Sequence, residues 1–281
     1  MNRKLLALYG LKWSPFSPGV PVEALYVNRQ IEWFCWRVEN LVSDGGFALV
    51  TGQPGFGKSI ALRVLADKLG ALQNIQVGIL SRPQAGMSDF YRELGDLFGV
   101  PLRPHNRHAG SKVLRQRWQA HIDSSFSRPV LVADEAQEMS PAVLAELRLL
   151  SAVKLDSQVL LTVVLAGDQR LAERFRSDEL LPLGSRIRAR LVLERATSED
   201  LQACLKHVLN KAGAPQLMTP EVIVTLSEHA QGNYRALMNM AGELLEIAAQ
   251  RQIQQIDERL FLEAYTPQAS HQNRTTGRQR R

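Results

Sequence analysis

The chain has 281 residues, 45% hydrophobic and 6% aromatic, the composition of an ordinary globular protein of one or two domains. Lys and Arg number 34 against 28 Asp and Glu, and the net charge of +6 fits a polyanionic partner or, equally, a charged soluble surface. No run of 18 apolar residues offers a membrane span, and the short apolar run near the N-terminus is no signal peptide. Cys35 and Cys204 stand in no metal-ligand spacing and read as buried free thiols in a reducing cytoplasm.

Residues 1–44 read as a lead-in and first helix. Residues 1–30, with Pro15, Pro18, Gly19 and Pro21, read as irregular, and helical patterning covers 28–43. The run 47–52 (FALVTG) is apolar, ends in glycine and predicts a buried strand, with a helix from Lys58 to about Gly70. A second strand is expected over 75–80. Helices are expected over 88–98 and 111–123, each opened by a serine suited to capping. A third strand covers 130–134. Ser140-Pro141 opens a helix to about Ala152, since proline suits the first helical position. A fourth strand is expected over 158–166 and a short fifth over 190–193. Such continuously apolar strands alternating with helices predict a parallel sheet covered on both faces. Beyond residue 196 the strands stop, and four helices follow to 265. The tail 266–281 carries Arg274, Arg278, Arg280 and Arg281 without apolar periodicity and reads as disordered.

The strongest chemical signal is Gly52-Gln53-Pro54-Gly55-Phe56-Gly57-Lys58-Ser59, which fits G-x-x-x-x-G-K-[ST] between a strand and a helix. The glycines let backbone N–H groups wrap phosphates, and the helix N-terminus, with Ile60 in its first turn, adds its positive dipole end. Lys58 is expected on the β- and γ-phosphates of ATP and Ser59 on Mg²⁺. The second signal is Val130-Leu131-Val132-Ala133-Asp134-Glu135, an apolar strand ending in two carboxylates. Asp134 is expected in the Mg²⁺ shell and Glu135 as the general base for the attacking water.

The extra strand between these elements, with Glu135 beside Asp134, resembles the AAA+ ATPases. That resemblance implies a P-loop α/β core with a five-stranded parallel sheet over 45–195 and a small α-helical lid over 196–265. It places a sensor 1 residue at the end of the fourth strand, where Asp168 or Gln169 stands in Leu165-Ala166-Gly167-Asp168-Gln169. It places an arginine finger, acting on a neighbouring subunit, near Leu183-Gly184-Ser185-Arg186-Ile187-Arg188-Ala189-Arg190. Arg186 is the first choice and Arg188 the second, against a solvated strand edge. Gly232-Asn233-Tyr234-Arg235 resembles sensor 2, with Arg235 reaching the γ-phosphate in cis.

A narrower resemblance covers residues 8–265. Tyr9-Gly10-Leu11, Trp13-Ser14-Pro15-Phe16 and Ala24-Leu25-Tyr26, followed by Gly46–Gly52 and Asp134-Glu135-Ala136-Gln137, are similar to the ExeA/GspA-type ATPases. In that branch the lead-in packs near adenine, which assigns Pro15 and Phe16 to the nucleotide. The branch includes the transposition ATPases TniB, TnsC, MuB and IstB, which bind DNA with ATP, oligomerise on it and deliver a target to a transposase. ExeA itself is longer, with a membrane span and a cell-wall-binding domain, so this chain is expected to be a cytoplasmic transposition helper. The resemblance puts double-stranded DNA against Arg82, Gln84 and Ser88 after the second strand, and against Arg107, Ser111, Lys112 and Arg115. Contact is expected with phosphates and largely independent of sequence. A secretion-assembly ATPase acting on protein, or a STAND-like nucleotide switch, are the alternatives. Trp33, Trp36 and Trp118 read as packing residues.

Overall fold

The computed structural model describes residues 3–102, 107–153 and 157–265. In chain order the helices are α1 (Arg3–Tyr9), α2 (Arg29–Asp44), α3 (Lys58–Gly70), α4 (Met87–Phe98), α5 (Arg107–Ser125), α6 (Pro141–Ser151), α7 (Gln169–Arg174), α8 (Leu181–Gly184), α9 (Ser198–Ala212), α10 (Pro220–His229), α11 (Tyr234–Gln250) and α12 (Glu258–Tyr265). The strands are β1 (Gly46–Gly52), β2 (Ile75–Leu80), β3 (Arg128–Ala133), β4 (Ala152–Val153), β5 (Gln158–Val159), β6 (Thr162–Gly167) and β7 (Ile187–Leu193).

The main sheet has five strands in the order β2-β3-β6-β1-β7, all pairs parallel. The phosphate-loop strand β1 is therefore flanked by β6 and β7, and β3 lies one strand further out. Alternate residues feed two cores. Phe47, Leu49, Leu131, Val163 and Leu165 pack under α4–α8. Ala48, Val50, Val130, Val132, Val164 and Ala166 pack under α2 and α3. Burial on both faces is why these strands read as unbroken apolar runs. Trp118 is buried in the first core with its ring edge-on to Phe98, centroids 5.2 Å apart.

A third core joins α9–α12 and extends to the N-terminus, where Leu5 and Leu11 are buried against the same helices. The segment expected to be irregular thus begins with a helix, α1, whose apolar face is satisfied by the C-terminal helices. Side-chain caps start several elements: Asn28 accepts from Ile31 N, Ser140 from Val143 N and Thr197 from Asp200 N. Among the described residues no helix is long and apolar enough to cross a membrane.

Four expectations are corrected. The fourth strand is broken, because residues 158–159 pair antiparallel with β4 and only 162–167 join the main sheet. Helices α4 and α5 start at Met87 and Arg107, so Ser88 and Ser111 lie inside them and do not cap them. The fifth strand begins at Ile187, three residues early, because its edge position leaves every second side chain exposed and interrupts the apolar run. Trp33 and Trp36 are 59% and 52% exposed and stack on each other, centroids 4.7 Å apart, on the outer face of α2. The tail, with its four arginines, lies outside the described residues.

Candidate nucleotide site

At the C-terminal end of β1 the chain turns through residues 53–57 into α3. Gly57 occupies the N-cap of α3 with φ +100°, a left-handed backbone that a side chain would strain. The first N–H groups of α3 are thereby left facing the loop, an anion site built from backbone. Lys58 is buried, and its ammonium donates to Gly52 O at 3.0 Å and Gln53 O at 3.4 Å. Its charge is thus folded back over the loop that phosphates would occupy.

The two motifs meet across the sheet. Ser59 Oγ donates to Asp134 Oδ2 at 2.7 Å, although 75 residues separate them. A hydroxyl beside a carboxylate is the hard-oxygen donor set that Mg²⁺ takes, its remaining positions going to water and phosphate oxygens. Asp134 also accepts from Glu135 N at 2.9 Å. Glu135 has φ +50°, unusual for a residue with a side chain, and it lines the cavity described below.

Gln137 was not anticipated as a site residue. It is buried; its amide donates to Glu135 Oε2 at 2.5 Å, and its Oε1 accepts from Asp168 N at 3.2 Å. The end of β6 is therefore connected to Glu135 through one side chain. Asp168 caps α7 by accepting from Arg170 N at 2.9 Å, and its carboxylate pairs with the Arg170 guanidinium at 2.8 Å. That guanidinium holds the Asp168 carboxyl below its ordinary value, with a smaller contribution from Lys58. Gln169 is exposed at the start of α7. Of the two sensor 1 candidates, Asp168 is the one wired to Glu135, through its backbone.

Beside the loop lies a cavity of about 460 Å³. Its walls come from the lead-in (Pro15, Phe16, Leu25, Tyr26), α2 (Ile31), the phosphate loop and α3 (Gly55–Ile60, Arg63), and the C-terminal helices (Cys204, Val208, Tyr234, Arg235, Met238, Asn239). An apolar slot opening onto a phosphate cradle matches a nucleotide's flat base and charged tail. Arg63 fixes one wall by donating to Pro18 O at 3.0 Å and Val20 O at 2.6 Å. Burial pushes the Cys204 thiol up to about 12 and raises the Tyr234 hydroxyl, so both meet the cavity in neutral form. Pro15, Phe16, Ile60 and Arg235 all line it.

The finger candidates lie elsewhere. Ile187 pairs with Phe47 and Leu193 with Gly52, so Arg186 sits at the opposite end of the sheet from the phosphate loop. At about 3.3 Å per strand residue that is roughly 20 Å, beyond one side chain's reach. Arg186 donates to Pro182 O, Arg190 donates to Gly184 O at 3.1 Å, and Arg188 lies 3.8 Å from Asp44.

Of the DNA candidates, Arg82, Gln84, Ser88 and Lys112 are exposed. Ser111 is not: it is buried, beside the Tyr91 hydroxyl, and accepts from Arg115 Nη2 at 3.3 Å. Its position inside α5, on the face packed against α4, is the reason. Arg115 is half-buried and turned onto its own helix through Ser111 O at 3.2 Å. The side chain of Arg107 lies outside the described residues.

Residues 40–175 match the family model described as an AAA domain. The chain is 31% identical over 246 residues to General secretion pathway protein A of Aeromonas hydrophila, a match covering 86% of this chain and 44% of that protein. It therefore spans less than half the length of that curated relative. Among solved structures, the ORC2 protein of Aeropyrum pernix in its ADPNP–ADP complexes superposes with a TM-score of 0.71 at 15% identity, covering 89% of this chain and 70% of that one. The ORC1 protein of Aeropyrum pernix in complex with DNA gives 0.63 at 17% identity, covering 93% and 68%. These likenesses establish the fold, a P-loop α/β core of AAA+ type with a five-stranded parallel sheet and a helical C-terminal part, and residues 40–175 of the chain are similar to an AAA domain.

Proposed function

We propose that this chain is a Mg²⁺-dependent ATPase whose ATP-bound form binds double-stranded DNA as an oligomer and there recruits or regulates a transposase. The observation that carries the ATPase part is the meeting of Ser59 with Asp134 beneath the Lys58 loop, with Glu135 on the same cavity. Mg²⁺ bound by this pair would neutralise charge on the phosphate oxygens. Lys58 holds the phosphates, Glu135 takes the proton of the attacking water, and Arg235 closes the site from the C-terminal helices. Those helices, 196–265, act as the lid on the core 45–195, with 1–44 forming the adenine wall.

What supports DNA as the partner is the placement of exposed cations. Arg82 follows β2, the sheet edge farthest from β7, with Gln84 and Ser88 exposed after it, and Lys112 projects from α5. Side chains of this kind grip phosphates without reading bases. Ser111 contributes by holding Arg115 in place. Fluorescence anisotropy of labelled duplex DNA across a salt series tests this. The slope of log Kobs against log[salt] is expected to fall by about one for each of Arg82→Ala and Lys112→Ala, with affinity falling alike for unrelated sequences.

A second reading has one observation in its favour, the 31% identity to a protein named for general secretion. On that reading the ATPase cycle acts on a protein partner. DNA binding absent in every nucleotide state, with ATP hydrolysis intact, selects it.

A further inference from the structure

We propose that Asn233 is a positioning residue that clasps the lid helix α11 to the phosphate loop and so couples phosphate binding to the placement of Arg235. The proposal rests on the reading of this loop as an ATP site. Asn233 is the N-cap of α11, and its Oδ1 accepts from Arg235 N at 2.9 Å and Ala236 N at 3.1 Å. Capping uses only the acceptor, and Ser, Thr or Asp would serve as well. The asparagine amide also has donors, and Nδ2 gives one to Pro54 O at 3.2 Å, across 179 residues. Arg235 N lies 3.4 Å from Gly55 O as a second link between the same segments.

The approach leaves no slack. A Cβ built on Gly55, whose φ is +86°, would stand 2.2 Å from Asn233 Oδ1 and 2.7 Å from Nδ2. Asn233 cannot swing aside without breaking the cap, so the glycine is required by the lid as well as by the loop. The preceding turn is tied at its other end: Gly232 O accepts from Ala196 N at 3.0 Å, where the chain leaves the core. Helix α11 is thus held at two points, the exit from the core and the phosphate loop. Arg235, two residues past Asn233, lines the cavity together with Gly55, Lys58 and Glu135. When phosphates draw Lys58 off Gly52 O and Gln53 O, the adjacent Pro54 and Gly55 carbonyls move with the loop, and the clasp carries that motion to α11.

The test separates clasping from capping. Asn233→Ser keeps a neutral capping oxygen, and Asn233→Asp keeps a charged one; neither can donate an amide hydrogen to Pro54 O. Amide hydrogen exchange is measured on the nucleotide-free protein, with ATP affinity measured in parallel. Faster exchange in residues 53–57 and at the start of α11 is expected in both variants, with the rest of α11 and the thermal midpoint unchanged. ATP affinity is expected to fall by about 5- to 10-fold, the scale of one hydrogen bond. Wild-type exchange and affinity in both variants, with loss only in Asn233→Ala, would show a cap alone and overturn the proposal. The ATP-site reading is judged separately by Lys58→Ala: wild-type ATP affinity in that variant removes the nucleotide reading, while the exchange result still decides the clasp.

Discussion

Glu135→Gln is expected to lower ATP hydrolysis by about 100- to 10,000-fold, the usual contribution of a positioned general base, while ATP still binds. The carboxylate stands at the end of β3 in a left-handed conformation, on the cavity wall and held by Gln137. The amide is nearly isosteric and keeps the hydrogen-bonding capacity that Gln137 needs, but it cannot accept the proton of the attacking water. Lys58→Ala is the contrasting case. It removes the buried ammonium that lies over the loop, so binding and hydrolysis are lost together. Equilibrium binding of a fluorescent ATP analogue beside steady-state phosphate release distinguishes the two. Equal loss of binding in both variants would mean that Glu135 shapes the site without acting as its base.

Arg186→Ala is expected to reduce hydrolysis by about 1,000-fold or more in the assembled protein, the scale of an arginine supplied to a transferring phosphoryl group. Its effect on ATP binding by the isolated chain is expected to be small, because Arg186 lies at the far end of β7 from its own phosphate loop. The sheet geometry makes a sharper forecast. Arg186→Ala has an intact loop and no finger, and Lys58→Ala has a finger and no working loop. Mixing two inactive variants is expected to restore part of the activity, since one interface in the mixture pairs the surviving loop with the surviving arginine. Absence of any recovery, in a mixture shown by sedimentation to co-assemble, would exclude action in trans by Arg186. Arg188 lies near the same end of β7 and Arg190 at its middle, opposite Leu49, and alanine at either is expected to leave the recovery intact.

The parts of this architecture that were legible in sequence are those fixed by neighbours in the chain. The apolar runs of β1 and β3 reported strands buried on both faces, and 52–59 reported the loop because each of its residues is needed within one turn. Ser140 announced its helix because a cap is a contact three residues long. What was illegible depends on contacts between distant segments. Leu5 and Leu11 make a helix of the lead-in only because the C-terminal helices supply its core. Ser111 resembled a surface cap until α4 was packed over it beside Tyr91. Trp33 and Trp36 lie on a helix whose other face already satisfies the core, a fact that hydrophobicity does not encode. Gln137 and Asn233 stood in plain view within quoted motifs. Their partners, Asp168 and Pro54, lie 31 and 179 residues away, and no local pattern connects them.

The most direct test of the account is sedimentation velocity of the protein with duplex DNA, in a non-hydrolysable ATP analogue, in ADP and without nucleotide. Large, salt-sensitive protein–DNA complexes are expected with the analogue alone, and Lys58→Ala is expected to form none. Complexes of equal size in all three states, or in none while ATP is still turned over, would contradict control of DNA binding by this nucleotide site.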